Sequence, residues 1–100
     1  MAAWAETSYY YLKAIEFHQD KQKSELYIKI GTNKIHEANL LNAENERQQK
    51  IEAYDLAMVA KNGEIKYLQM DDGNTQRIEK AQAQLEAYQR EIDKIKEMQK

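Results

Sequence analysis

The two histidines of this chain are the side chains best suited to metal or acid–base chemistry, but neither has the spacing that a metal site requires. His36-Glu37 begins like the zinc-protease pattern HExxH, yet Leu40 stands where the second histidine should be. A di-iron bundle needs Glu-x-x-His, and the residues three positions before the two histidines are Ile15 and Asn33. The sequence therefore predicts no metal site and no cofactor.

The sequence also lacks the arrangement of side chains that nucleophilic catalysis requires. The chain has no cysteine, and its only serines are Ser8 and Ser24. His18 lies ten residues after Ser8. On one helix that separation is roughly 15 Å by rise, which is too far for a direct hydrogen bond. We therefore expect no catalytic residues and no enzyme activity.

The charge and hydropathy patterns exclude two further classes of partner. Charged residues make up 32% of the chain but the formal net charge is only -2, so no strong field exists to attract a nucleic acid. The longest apolar runs, 1–5 and 56–60, have five residues, whereas a membrane helix needs about 20. No signal peptide is visible, and we expect a soluble protein, with the cytoplasm slightly favoured.

The elements that must position any site are helices. The chain has no proline and three glycines, and one hundred residues form at most one domain, which we place at 1–100. The clearest helix is C-terminal, where apolar residues alternate at spacings of three and four. Such a narrow stripe requires a second helix to pack against. This seam comprises Ile78, Ala81, Leu85, Tyr88, Ile92 and Ile95.

A second seam precedes it and is out of register with it. Ile51 and Ile78 are 27 residues apart, one short of four heptads, so one unbroken coiled coil cannot contain both seams. We therefore expect a break near 71–74, where Gly73 suits the residue after a helix and Asn74 can cap the next one. The acidic Asp71-Asp72 pair lacks the spacing of a calcium loop. The second seam comprises Ile51, Tyr54, Met58, Ile65 and Leu68, with Lys61 at a seam position.

The N-terminal third predicts an aromatic-rich helix over residues 3–30, with a further break near 31–33 at Gly31, although one continuous helix through that glycine is equally compatible. The polar stretch 42–50 fits a solvated helix or a loop. The fold class is thus all-α, a helical hairpin or small antiparallel bundle with coiled-coil-like packing. The alternative is α+β, in which 26–30 and 65–70 pair as two short strands.

These patterns favour a protein-protein interaction module, an assembly subunit, adaptor or chaperone that binds helices of itself or of a partner. Three consecutive tyrosines on a helix cannot all face one core, so at least one should be exposed. The exposed ring either contacts another protein or simply covers the surface of the bundle. The alternative is a small bundle that binds a small-molecule cofactor or metal. The predicted partner-binding residues are Trp4, Tyr9, Tyr10, Tyr11, Ile78, Leu85, Tyr88, Ile92 and Ile95.

Overall fold

The computed structural model describes residues 3–40, 46–70 and 73–98, and these ranges contain four α-helices and no strand. In chain order they are α1 (Ala3–Glu16), α2 (Lys21–Leu40), α3 (Arg47–Gln69) and α4 (Thr75–Met98). The all-α prediction is confirmed. The α+β alternative is wrong, because 26–30 lies inside α2 and 65–69 forms the last turns of α3.

The apolar spacing explains why 26–30 is helical despite its β-branched residues. The buried positions of α2 recur every three or four residues, which fits a helix and cannot place one strand face toward a core. They are Ser24, Ile28, Gly31, Ile35 and Ala38.

The sequence did not predict the turn between α1 and α2. Helix α1 ends at Glu16, and the backbone N–H groups of His18 and Asp20 donate to the carbonyls of Ile15 and Phe17 at 3.2 and 2.8 Å. The Asp20 carboxylate then accepts a 3.2 Å hydrogen bond from the Lys23 backbone N–H. Asp20 is therefore the N-terminal cap of α2, and it satisfies one of the free donors at that helix end.

The predicted break near 31–33 is wrong, because α2 continues through Gly31 to Leu40. Gly31 serves packing instead. A β-carbon at this position would lie 3.0–3.1 Å from three ring atoms of Tyr11, so glycine lets α1 and α2 approach closely.

The predicted break near 71–74 coincides with a change of element, since α3 ends at Gln69 and α4 begins at Thr75. Residues 71 and 72 lie outside the described residues. Gly73 has a φ of +92°, and the Asn74 side-chain amide donates to the Leu68 carbonyl at 3.1 Å. Asn74 thus satisfies a free carbonyl at the end of α3.

Helix α1 packs on α2 and α3, and α3 packs on α2 and α4. The shortest dimension of the molecule is 19 Å, which corresponds to two layers of helices at about 10 Å each. The core between the layers combines aromatic and small side chains from all four helices. Its buried aromatic residues are Trp4, Tyr11, Tyr54 and Tyr88.

Candidate functional site

Five of the nine predicted partner-binding residues lie in the core of the bundle. Trp4 and Tyr11 are 1% and 0% exposed, and Tyr88, Ile92 and Ile95 are also buried. These five therefore pack inside this fold and do not reach its surface. Of the other four, Tyr10, Ile78 and Leu85 are half-buried and Tyr9 is exposed.

The buried aromatic residues form a connected chain across the bundle. The ring centroids of Trp4 and Tyr54 are 5.8 Å apart, and those of Tyr54 and Tyr88 are 5.6 Å apart. The hydroxyl of Tyr11 lies 3.5 Å from that of Tyr88 and 3.1 Å from the Thr32 hydroxyl. All four helices thus contribute to this series of side-chain contacts, which stabilises the core.

Burial raises the pKa of the hydroxyl group in two of these tyrosines. Removal from water raises the pKa of Tyr11 far above its ordinary value, and the nearby Tyr88 raises it further. Burial also raises the pKa of Tyr54, although the hydrogen bond to Asn39 opposes the shift. Both hydroxyls are therefore neutral in the physiological range.

A second row of aromatic rings lies at the surface, formed by α1, α2 and the turn between them. We call it the aromatic ladder. Tyr9 meets Tyr10 edge to face at a centroid distance of 5.3 Å, Tyr10 stacks with Tyr27 at 6.4 Å, and Tyr27 stacks with Phe17 at 5.8 Å. Tyr9 is 52% exposed and the other three rings are half-buried. The prediction that at least one of the three consecutive tyrosines is exposed is confirmed by Tyr9.

A lysine covers each end of the aromatic ladder. The Lys13 ammonium lies 5.7 Å from the Tyr9 ring centroid, and the Lys23 ammonium lies 5.0 Å from that of Phe17. Both distances suit cation–π attraction. Lys13 also pairs with Glu16 at 3.2 Å, and that hydrogen bond raises the pKa of Lys13. Each end of the aromatic ladder thus carries a lysine, and the lysine at the Tyr9 end is paired with a carboxylate.

A salt-bridge network borders the ladder on the Tyr9 side. Lys34 on α2 reaches Glu6 on α1 at 3.4 Å and Glu37 on its own helix at 3.3 Å. These two carboxylates, Glu37 first, raise the pKa of Lys34. Between the network and the rings is a cavity of about 270 Å³, lined by Glu6, Tyr9, Tyr10 and Lys34. The face therefore offers both rings and a small recess.

Sequence reasoning missed Phe17 and Tyr27 as members of this face. They are ten residues apart, and they meet only because the chain reverses between Glu16 and Lys21. The signal that could have revealed this turn is Asp20, a residue type favoured at helix N-termini.

Two absences are noted for the described part of the chain. It contains no group of His, Asp or Glu side chains arranged to hold a metal ion. None of its helices has the length and apolar content needed to cross a membrane. Comparison with known protein families, curated proteins and solved structures finds no match for this chain.

Proposed function

We propose that this chain is a protein-interaction module that binds a second copy of itself through the aromatic ladder on α1 and α2. The supporting observation is that four neighbouring aromatic rings, one exposed and three half-buried, lie outside the fully buried core of the bundle. Aromatic side chains are enriched in protein interfaces because each buries a large area at a low cost in side-chain entropy.

The charges around the ladder favour a second copy over a strongly charged partner. Three lysines and three glutamates border the rings, so the face has both signs in balance. In a twofold dimer the same face meets itself, and a balanced face can place its cations opposite its anions. The six residues are Glu6, Lys13, Glu16, Lys23, Lys34 and Glu37. The net charge of -2 adds little repulsion between two copies.

The α4 seam is not part of this proposed interface. Ile92 and Ile95 are 1% and 3% exposed, so the apolar stripe of α4 is already covered within the chain. Ile78 and Leu85 remain half-buried at its edge. A dimer through α4 would require this helix to separate from α3, with which it packs.

Sedimentation equilibrium tests the proposal with purified protein, up to about 1 mM, the range in which weak but specific association is still measurable. We expect a reversible monomer–dimer equilibrium that Tyr9→Lys shifts toward the monomer. Val59→Lys on α3 is a matched control, because Val59 is 53% exposed and Tyr9 is 52% exposed. This control should leave the equilibrium unchanged.

Two results would contradict the proposal. A wild-type protein that stays monomeric throughout the concentration range would exclude self-association. A dimer that Val59→Lys weakens as much as Tyr9→Lys would place the interface elsewhere on the molecule. Circular dichroism of both variants verifies that the helices are intact.

A further inference from the structure

Lys61 is a buried cation at a position where the α3 seam calls for an apolar residue. It is 6% exposed, and its ammonium pairs with the Glu64 carboxylate at 3.1 Å. A buried ion pair of this kind seldom adds stability compared with apolar residues of similar volume, because both charges lose their hydration. Stability alone therefore does not account for a lysine here.

Lys61 lines a cleft between α2, α3 and α4. The cleft has a volume of about 410 Å³, within the range of small-molecule sites. Ile28 and Ala81 are its buried apolar residues. The remaining lining is polar or charged, and among its cations Lys61 is buried whereas Lys29, Arg77 and Lys80 are exposed.

The charges of the cleft are out of balance. Four cationic side chains line it with two carboxylates, which leaves a formal excess of two positive charges in a protein whose net charge is -2. Glu64 pairs with Lys61, and Glu25 pairs with Arg77 at 3.3 Å. Lys29 and Lys80 make no ion pair with any residue in the described ranges.

Lys61 also has unused hydrogen-bonding capacity. An ammonium has three N–H donors, and within the described part of the chain its hydrogen bond is to Glu64. The other two donors have no hydrogen-bond acceptor in that part of the chain. A buried cation with free donors, in the same cleft as two exposed lysines that pair with no residue in the described ranges, is suited to bind an anion.

We infer that this cleft binds a small organic oxyanion, a carboxylate or phosphate ester with a short carbon skeleton. Lys29, Lys61 and Lys80 bind the oxyanion, Arg77 lines the cleft paired with Glu25, and Ile28 and Ala81 pack against the carbon atoms. This site is independent of the proposed dimer interface. Tyr27 of the aromatic ladder and Lys29 of the cleft are two positions apart on α2, about 200° around the helix.

A nitrogen-15 NMR titration tests the inference, with inorganic phosphate and succinate as separate probes at constant ionic strength. We expect at least one probe to give saturable shifts at the backbone amides of Thr32, Asn33 and Gln84, which line the cleft. The probe that saturates at lower concentration distinguishes phosphate from carboxylate recognition. Shifts that increase linearly with both probes, with no saturation, would overturn the inference.

Charge-neutralising variants locate the site. Lys29→Gln with Lys80→Gln should weaken saturable binding by about fivefold or more, the loss expected for about 1 kcal/mol of charge interaction. Lys94→Gln with Lys96→Gln removes the same charge from exposed positions of α4 outside the cleft and should leave binding unchanged. Equal weakening by both double variants would contradict a specific site.

The buried cation needs a separate variant, because removing Lys61 alone would leave Glu64 without its partner. Lys61→Met combined with Glu64→Gln removes both charges and retains similar volumes. We expect a folded protein whose cleft no longer binds either probe saturably. Retained saturable binding in this folded variant would show that Lys61 is not part of the site.

Discussion

At the scale of single residues, the contact between Gly31 and Tyr11 shows how closely α1 and α2 approach. The Tyr11 ring is fully buried, and hydrogen-bonding contacts with Thr32 and Tyr88 hold its hydroxyl. The ring therefore has little freedom to move away from a new side chain at position 31.

We expect Gly31→Ala to lower the free energy of unfolding by about 1 kcal/mol. The added β-carbon overpacks the ring contact by about 1–3 kcal/mol, which exceeds the gain of about 1 kcal/mol from the better helix propensity of alanine. Urea denaturation followed by circular dichroism measures the change.

Gly63→Ala is the matched control, because a β-carbon there meets nothing within 4 Å in the same kind of helix interior. This variant should gain about 0.5–1 kcal/mol from helix propensity alone. An equal gain in both variants would show that the Tyr11 ring yields freely.

The buried tyrosine hydroxyls make stability depend on alkaline pH. The pKa of Tyr11 is raised in the folded protein, whereas in the unfolded chain it is about 10. Above that pH the unfolded state loses a proton that the folded state retains, so stability falls by up to about 1.4 kcal/mol per pH unit for this group.

Urea denaturation at several pH values above 10 tests this dependence. We expect Tyr11→Phe to lose stability less steeply with pH than the wild type, although its stability at neutral pH is lower because the Thr32 contact is lost. If the unfolding free energies of the two proteins fell equally steeply with pH, the pKa of Tyr11 would not be raised in the folded state.

At the scale of elements, the start of α2 depends on one cap. Asp20→Ala should cost about 1 kcal/mol of unfolding free energy, because the Lys23 backbone N–H loses its side-chain acceptor. Asp20→Asn keeps an acceptor oxygen and should retain most of the stability. Thermal denaturation of both variants measures the difference, and equal losses would mean that the carboxylate charge, and not the cap, stabilises the turn.

The sequence predicted some elements well because their apolar spacing is regular. Both seams are helical, and the register shift between Ile51 and Ile78 correctly indicated that one rod could not contain them. The turn at 17–20 was missed because Asp20 is followed by lysines and lacks the acidic first turn that usually marks a helix start. Gly31 was misassigned because a sequence does not show which ring will cover a glycine.

The candidate site was predicted only in part for a similar reason. Helical periodicity showed that the three tyrosines diverge, but it could not determine that Tyr11 would be the buried one and Tyr9 the exposed one. The aromatic ladder needs Tyr27 beside Phe17, and that proximity follows from the packing of two helices. Lys61 was placed at a seam position by its spacing, and the structure shows that it is buried.

At the scale of the whole molecule, the four helices differ in how many other helices they pack against. Helices α1, α2 and α3 all pack against one another, whereas the extensive packing of α4 is with α3. Its links to the first two helices include the Arg77–Glu25 ion pair and the Tyr88–Tyr11 hydroxyl contact. That residues 1–100 form one domain remains a prediction.

We expect α4 to open before the rest of the bundle does. Native-state hydrogen exchange should give the amides of α4 a lower opening free energy than those at the centre of α3, because α4 has fewer neighbours to lose. Helix α2 is the control region, because the opening free energy of its amides should equal that of the α3 amides. A single opening free energy for all four helices would show that the bundle unfolds as one unit.

Trp4 has a practical consequence for following these events. It is the only tryptophan of the chain, it is 1% exposed, and it lies against Tyr54 with the Lys50 ammonium 5.5 Å from its ring. Its fluorescence therefore reports on its own surroundings, at the junction of α1 with α3. An emission spectrum that stays constant while α4 exchanges, and that changes only when α1 separates, would let the natural protein distinguish partial opening from complete unfolding without an added label.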